Sequence, residues 1–159
     1  MEFLTSGSNA EIYQDGDHVV AILDKPDYGK HALSELSHPH LPETTMVNEL
    51  RYTMPLYHPV SPENRPMVEF LISSWQNYAN RNPVPLDGDS INFYNRVLGY
   101  IRWLEYYIDN ELLDAIKIVV EQMAQYTKRF NLDFHDDNFM ESETGNIILL
   151  DVVWAVPKV

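Results

Sequence analysis

The sequence contains no cysteine in its 159 residues. This absence excludes disulfide bonds, thiolate metal sites and cysteine nucleophiles, and it fits a reducing compartment. No apolar run reaches the length that a membrane-spanning helix requires, and the first residues lack the basic start and apolar stretch of a secretion signal. We therefore expect a cytoplasmic protein that does not enter a membrane.

Basic residues are also few, with 11 Lys and Arg against 24 Asp and Glu and a formal net charge of −13. Direct binding to DNA or RNA is not expected, because it normally needs a basic face that neutralises phosphates. An acidic surface attracts basic ones, so we expect a protein partner or substrate with a basic surface, although solubility alone also explains the charge. Hydrophobic residues make up 45% of the chain, which is enough for a core in one domain or two small lobes.

Strand and turn patterns occupy residues 1–60. Asp15-Gly16 predicts a tight hairpin turn, and the β-branched residues of His18–Leu23 predict the strand that follows it. The Pro-rich segment 58–62 marks the predicted end of this part. Its other predicted elements are a helix over Lys30–Ser37 and strands over Thr45–Leu50 and Arg51–Tyr57.

A helical period takes over in residues 61–159. Apolar residues recur at spacings of three and four, which predicts three helices. Pro66, Ser90, and either Asp109 or Asn110 are suited to the starts of these helices. A loop, a hairpin that turns at Thr144–Asn146, and an apolar strand complete the chain. Strands first and helices second predict an α+β protein.

The loop and the last strand carry three oxygen-bearing side chains at informative spacing. Asn138 follows Asp133 by five positions, and Asp151 ends the apolar run Ile147–Leu150. Carboxylate and amide oxygens are ligands that Mg²⁺ prefers, and Asp133 is suited to orienting or deprotonating a hydroxyl. A carboxylate among core residues also needs a partner or a metal. The alternative is that these residues belong to a solvated acidic loop.

The segment Asp133-Phe134-His135-Asp136-Asp137-Asn138 resembles the Asp-x-His-x-x-Asn loop of the protein-kinase-like superfamily. The resemblance is closest to aminoglycoside-type phosphotransferases and small phage-encoded Ser/Thr protein kinases. It implies that Asp133 is the catalytic aspartate, that Asn138 and Asp151 bind Mg²⁺, and that ATP is the phosphate donor. It also implies a minimal two-lobe fold, with a β-rich N-lobe over 1–60 and a helical C-lobe over 61–159 that is truncated after Asp151.

Two N-terminal segments extend this resemblance. Leu4–Tyr13 is similar to a glycine-rich phosphate loop, in which Ser6, Gly7 and Ser8 would cover the phosphates. Only Gly7 of the usual glycines is present, and a hairpin turn explains the segment equally well. Tyr52–Tyr57 is similar to the strand that runs into a kinase hinge, which implies that Met54 lies near the adenine. A strand that ends at a proline is the alternative.

The strand lysine that kinases use to hold phosphates is missing, because Ala21 occupies that position. Lys25 lies four residues further on, so strand alternation would put it on the same face, with Glu35 as a candidate helix partner. Pro26 favours instead a strand end with an exposed lysine. The histidines His38 and His40 lie around prolines, and we interpret them as structural rather than metal-binding.

Two functions remain open at this point. The resemblance implies an ATP- and Mg²⁺-dependent phosphotransferase that modifies a host protein in the host cytoplasm, in the manner of phage kinases. The alternative is a degenerate, pseudokinase-like acidic protein that binds and inhibits a host protein. Asp133, Asn138 and Asp151 favour the first function, and Ala21 favours the second.

Overall fold

The computed structural model describes residues 1–7, 9–108 and 110–158, except for the side chain of Tyr28. Over these ranges the protein is a mixed α+β structure with a five-stranded antiparallel sheet and four helices. The order of strands in the sheet is β1-β2-β3-β5-β4. The strands are β1 (Glu2–Ser6), β2 (Ala10–Asp15), β3 (His18–Leu23), β4 (Thr45–Asn48) and β5 (Arg51–Pro55).

The predicted hairpin between β2 and β3 is confirmed. Asp15 pairs with His18, and Gly16 takes a φ of +65° in the turn between them. A side chain at that φ would be strained, which explains why glycine occupies the position. The sheet buries a small apolar cluster on one face, where Ala21, Leu23 and Tyr52 are its most buried members.

Helix α1 (Tyr28–Leu33) connects β3 to β4 and is shorter than predicted. It begins after Asp27, whose side chain accepts a hydrogen bond of 2.9 Å from the backbone N–H of Lys30. Such a cap satisfies one of the free N–H groups of a helix start. The predicted helix over 30–37 is therefore wrong at both ends, and Glu35 lies beyond the helix. The predicted strands over 45–50 and 51–57 are likewise too long, because β4 ends at Asn48 and β5 at Pro55.

Three longer helices form the main core with the last part of the chain: α2 (Arg65–Arg81), α3 (Ser90–Leu104) and α4 (Glu111–Ala124). Pro66 lies in the first turn of α2 as predicted. Asn110 caps α4 by accepting a hydrogen bond from the N–H of Leu113, whereas Ser90 is already helical and Asp89 precedes it as the cap residue. The predicted cap at Ser90 is therefore wrong by one position. None of the helices in the described ranges is long and apolar enough to cross a membrane.

The last part of the chain forms two short antiparallel pairs. β6 (Phe130–Leu132) pairs with β9 (Val153–Ala155), and β7 (Phe139–Glu141) pairs with β8 (Ile147–Leu149). The predicted hairpin turn is confirmed, with Gly145 at a φ of +85°. Asp151 lies in the connection from β8 to β9, so the chain passes from one pair to the other at this residue.

Hydrogen bonds fasten the first part of the chain to the β7–β8 hairpin. The backbones of His58 and Glu141 exchange two hydrogen bonds of 2.8 Å. His40 accepts a 2.9 Å bond at its carbonyl from the N–H of Leu149, and its ring Nδ1 lies 2.7 Å from the carbonyl oxygen of Ile147. The structural role predicted for His40 is therefore confirmed.

Candidate functional site

The loop after β6 exposes its polar side chains because the extended chain alternates there. Phe130, Leu132 and Phe134 are buried, whereas Asp133 is half-buried and His135 is exposed. Successive side chains of an extended segment point to opposite sides, so the buried aromatic residues hold the polar ones towards solvent. Burying a large apolar side chain contributes roughly 1.5–3 kcal/mol, so this pattern fixes the register of the loop strongly.

Backbone hydrogen bonds bring Asp151 beside this loop. The N–H of Asp133 donates to the carbonyl of Val152 at 2.7 Å, and the N–H of Leu150 donates to the carbonyl of Asn138 at 2.9 Å. The two neighbours of Asp151 are therefore bonded to the two polar residues of the loop. Three residues that are up to eighteen positions apart in sequence converge in this way.

Asn138 is the best-held side chain of the three and is only 8% exposed. It ends a 3-10 turn (Asp136–Asn138), and its Nδ2 donates to the carbonyl of Asp133 at 2.8 Å. The same Nδ2 lies 3.0 Å from Nε2 of His135. Its Oδ1 makes no hydrogen bond to any described residue. The amide nitrogen therefore binds within the loop, and the amide oxygen is available to a ligand.

His135 organises the loop through its contact with Asn138. Its Nε2 accepts the hydrogen bond from Asn138, which requires the neutral ring with its proton on Nδ1. The distance from Nε2 to Oδ1 of Asp133 is 3.6 Å, which is too long for a hydrogen bond. Asp133 therefore keeps its carboxylate free for another group, while His135 supports Asn138.

Asp151 is not embedded in the core, contrary to the prediction from its apolar neighbours. Val152 is buried, whereas Asp151 is exposed to solvent. Desolvation by the surrounding protein raises the pKa of Asp151, and the charges of Asp133 and Asp27 raise it further. The positive charge of Lys30 acts in the opposite direction. A carboxylate with a raised pKa gains from a nearby cation, which is the expected condition of a metal ligand.

The donor chemistry of this cluster fits Mg²⁺. Asn138 and Asp151 offer an amide oxygen and a carboxylate, and Asp133 adds a second carboxylate. Mg²⁺ is commonly held by one or two carboxylates, with water and substrate phosphates as the remaining ligands. Within the described part of the chain, no group of three or more His, Cys, Asp or Glu side chains is arranged to hold a metal ion. Two carboxylates and one amide are therefore the oxygen ligands that this cluster could offer to a metal ion.

The predicted phosphate loop lies in the turn between β1 and β2. Ser6 ends β1, Gly7 donates a 2.8 Å backbone hydrogen bond to Ala10, and Ser8 lies outside the described residues. Gly7 does not have a positive φ, and a Cβ built on it would meet only the carbonyl oxygen of Ala10, at 4.0 Å. The fold therefore does not require glycine here. The role of Ser6, Gly7 and Ser8 in covering phosphates stays a prediction.

Lys25 and Met54 differ in how well their surroundings suit the predicted roles. Lys25 is exposed in a bend after β3, which ends at Leu23, so the strand alternation expected for Lys25 is wrong. Met54 lies in β5, pairs with Val19 of β3 and packs on the apolar face that contains Ala21. An apolar side chain beside a sheet suits a contact with adenine.

The sequence does not predict that two basic residues, Arg96 and Lys30, lie near this region. Nη2 of Arg96, on α3, donates to Oδ1 of Asn131 at 2.6 Å and so fastens β6 to the helices. Lys30, on α1, is half-buried and acts on Asp151. Arg96 and Asn131, and likewise Lys30 and Asp151, are far apart in the chain, which is why local patterns do not reveal these relations.

No protein-family model matches the chain, and no curated protein matches it. The function proposed below therefore depends on the geometry of the Asp133, Asn138 and Asp151 cluster and on the resemblance of its loop.

Proposed function

We propose that the protein is an ATP- and Mg²⁺-dependent phosphotransferase, similar to small phage-encoded Ser/Thr kinases, that modifies a hydroxyl of a host protein. The convergence of Asp133, Asn138 and Asp151 carries this proposal. The three side chains come from two separate segments, and two short backbone hydrogen bonds hold those segments together. An acidic surface loop without a ligand would not need this arrangement.

Each residue has a role that its surroundings support. Asn138 and Asp151 would hold Mg²⁺, which when bound neutralises charge on the phosphates. Asp133 would accept the hydrogen bond of the substrate hydroxyl and orient it, since its carboxylate has no hydrogen-bonding partner among the described residues. Met54 would contact the adenine, and the turn at Ser6–Ser8 would cover the phosphates.

The order of elements supports a minimal two-lobe kinase-like fold. A five-stranded antiparallel sheet with one helix between its third and fourth strands precedes three helices and the segments that carry the cluster. In this proposal the β-rich lobe covers residues 1–60 and the helical lobe residues 61–159. The net charge of −13 favours a substrate with a basic surface, and the host cytoplasm is the proposed place of action.

A second candidate is a pseudokinase-like protein that binds and inhibits a host protein without transferring phosphate. The inner face of β3 favours it, because Ala21 and Leu23 are both buried and apolar there. Neither residue can hold a phosphate, and a kinase without its strand lysine loses an interaction with the nucleotide.

Nucleotide binding separates these candidates. We expect Mg²⁺ and ATP together to raise the melting temperature of the wild type, because a ligand that binds only the folded state stabilises it by mass action. Asp151→Asn should abolish the shift. Because the pKa of Asp151 is raised in the folded state, the wild type loses stability as pH rises through that pKa. The Asn variant escapes this loss, so it should be no less stable than the wild type at neutral pH without ligand.

The decisive measurement is the change in melting temperature at millimolar ATP. A wild type that shows no shift with or without Mg²⁺ would exclude the phosphotransferase and leave the binding protein. A shift that survives in Asp151→Asn would exclude this residue as a metal ligand. Where ATP binds, transfer of labelled phosphate to a basic protein and its loss in Asp133→Asn test the reaction itself.

A further inference from the structure

Strand β3 (His18–Leu23) contains no lysine or arginine that could serve the cluster. Ala21 and Leu23 point to one face of the sheet and are at most 6% exposed. Lys25 follows in an exposed bend, before Pro26, and is not part of the strand. A nucleotide with several phosphates carries a high negative charge, so a site with three acidic or amide side chains needs a protein cation nearby.

Lys30 of α1 approaches the same face from the side. Its Nζ lies 5.2 Å from the centre of the Tyr52 ring, within the range of a cation–π contact. Tyr52 is the direct partner of Ala21 in the pairing of β3 with β5. The ammonium group therefore lies over the cross-strand neighbour of Ala21, the strand position that lacks a lysine.

Lys30 also borders the segment that carries Asp151. It lines a narrow cavity together with Leu150 and Val152, the two neighbours of Asp151. The side chain thus borders both the sheet, through Tyr52, and the segment that carries Asp151, where phosphates bound to the cluster would meet it.

Helix α1 is held firmly enough to position this lysine. Asp27 caps its start, and Nε2 of Gln122 on α4 donates to the carbonyl of Ala32 at 3.1 Å. Ala32 itself is buried against the core. A lysine on an anchored helix loses less freedom on binding a ligand than one in an exposed bend.

We propose that Lys30 on α1 is the phosphate-binding lysine of this protein, in place of the strand lysine that β3 lacks. This inference rests on the proposed function, because it assumes a nucleotide at the Asp133, Asn138 and Asp151 cluster. It assigns the role to a helix residue, whereas strand alternation in the sequence made Lys25 a candidate. In this arrangement Lys30 contacts the phosphates, and the Tyr52 ring helps to hold its ammonium group in place.

The test measures equilibrium binding of Mg·ATP and of adenosine to the wild type, Lys30→Met and the matched control Lys25→Met. Lys30→Met should weaken Mg·ATP binding by roughly tenfold or more, since it removes a charge-assisted hydrogen bond to phosphate. Its affinity for adenosine should stay within about twofold, because adenosine has no phosphate. Lys25→Met should bind both as the wild type does.

A second variant guards against a folding defect. Lys30→Arg keeps the charge and should retain most of the Mg·ATP affinity, and melting in the absence of ligand shows whether each variant is folded. A folded Lys30→Met that binds Mg·ATP like the wild type overturns the inference and leaves the proposed function standing. Loss of binding in Lys25→Met alone assigns the role to Lys25 and also overturns it. A wild type that binds no Mg·ATP overturns both proposals together.

Discussion

Replacement of Asn138 by alanine tests whether the loop is built around this one amide. Asn138 is 8% exposed, and its Nδ2 lies 2.8 Å from the carbonyl of Asp133 and 3.0 Å from Nε2 of His135. Each intramolecular hydrogen bond contributes about 0.5–1.5 kcal/mol, so losing both should cost roughly 1–3 kcal/mol. The lower end applies if water reaches the freed acceptors, and the upper end if they stay dry.

Urea unfolding followed by fluorescence of the three tryptophans measures this loss. The midpoint should fall while the slope stays unchanged, because the surface exposed on unfolding is the same. A thermal melt should show a decrease of about 2–4 °C for each kcal/mol in a chain of this size. Asn77→Ala is the matched control, since Asn77 is exposed on α2 and the change to alanine should not destabilise that helix.

Asn138→Asp sharpens the same test. Aspartate keeps the size of the side chain but replaces the Nδ2 donor by an oxygen that faces the carbonyl of Asp133. Two acceptors at this distance repel, so this variant should be at least as unstable at neutral pH as Asn138→Ala. A loss below about 0.5 kcal/mol in both variants, comparable to the effect of a surface substitution, would refute the view that Asn138 holds the loop.

Two further substitutions test how the site is supported. The pKa of Glu141 is lowered mainly by hydrogen bonds from the Ser61 hydroxyl and from Asn64, so its stabilising effect should be present above its ordinary value of 4.5 and lost as pH falls below it. Glu141→Gln should therefore be less stable than the wild type at pH 7, and the difference should shrink as the pH falls below that ordinary value; a difference that does not change with pH, which urea unfolding would detect, contradicts this. Tyr100→Phe should lower the free energy of unfolding by about 0.5–1.5 kcal/mol, because it removes a buried hydroxyl that lies 2.7 Å from the Ser74 hydroxyl. An unchanged urea midpoint would show that this pair contributes nothing to stability.

Local patterns in the sequence predict much of the architecture, because they depend on neighbouring residues. The hairpin at Asp15-Gly16 follows from the backbone freedom of glycine, and the start of α2 from Pro66. The bounds of α1 do not follow in this way. Its start depends on the hydrogen bond that Asp27 accepts, and its position depends on contacts with α4.

Some features of the candidate site also follow from local sequence, and others do not. Asp133 and Asn138 lie within one loop, and the spacing of the loop indicates their chemistry without any knowledge of the fold. The exposure of Asp151 is different: its apolar neighbours predict burial, but the residue lies in the connection from β8 to β9 and is exposed to solvent. Side chains alternate between the two faces of a sheet only within a strand, so the neighbours of a residue predict its face only when the residue lies inside the strand.

The sequence by itself therefore determined the α+β class, the acidic character and the identity of the three cluster residues, since these depend on composition and short-range spacing. Only the tertiary structure decided which cation stands near that cluster. Lys25 is closer in sequence to Ala21, which occupies the position of the missing lysine, yet Lys25 is exposed. Lys30 instead lies over Tyr52, the cross-strand partner of Ala21. The physical reason is that the packing of α1 against α4 sets this approach, and such packing joins residues about ninety positions apart.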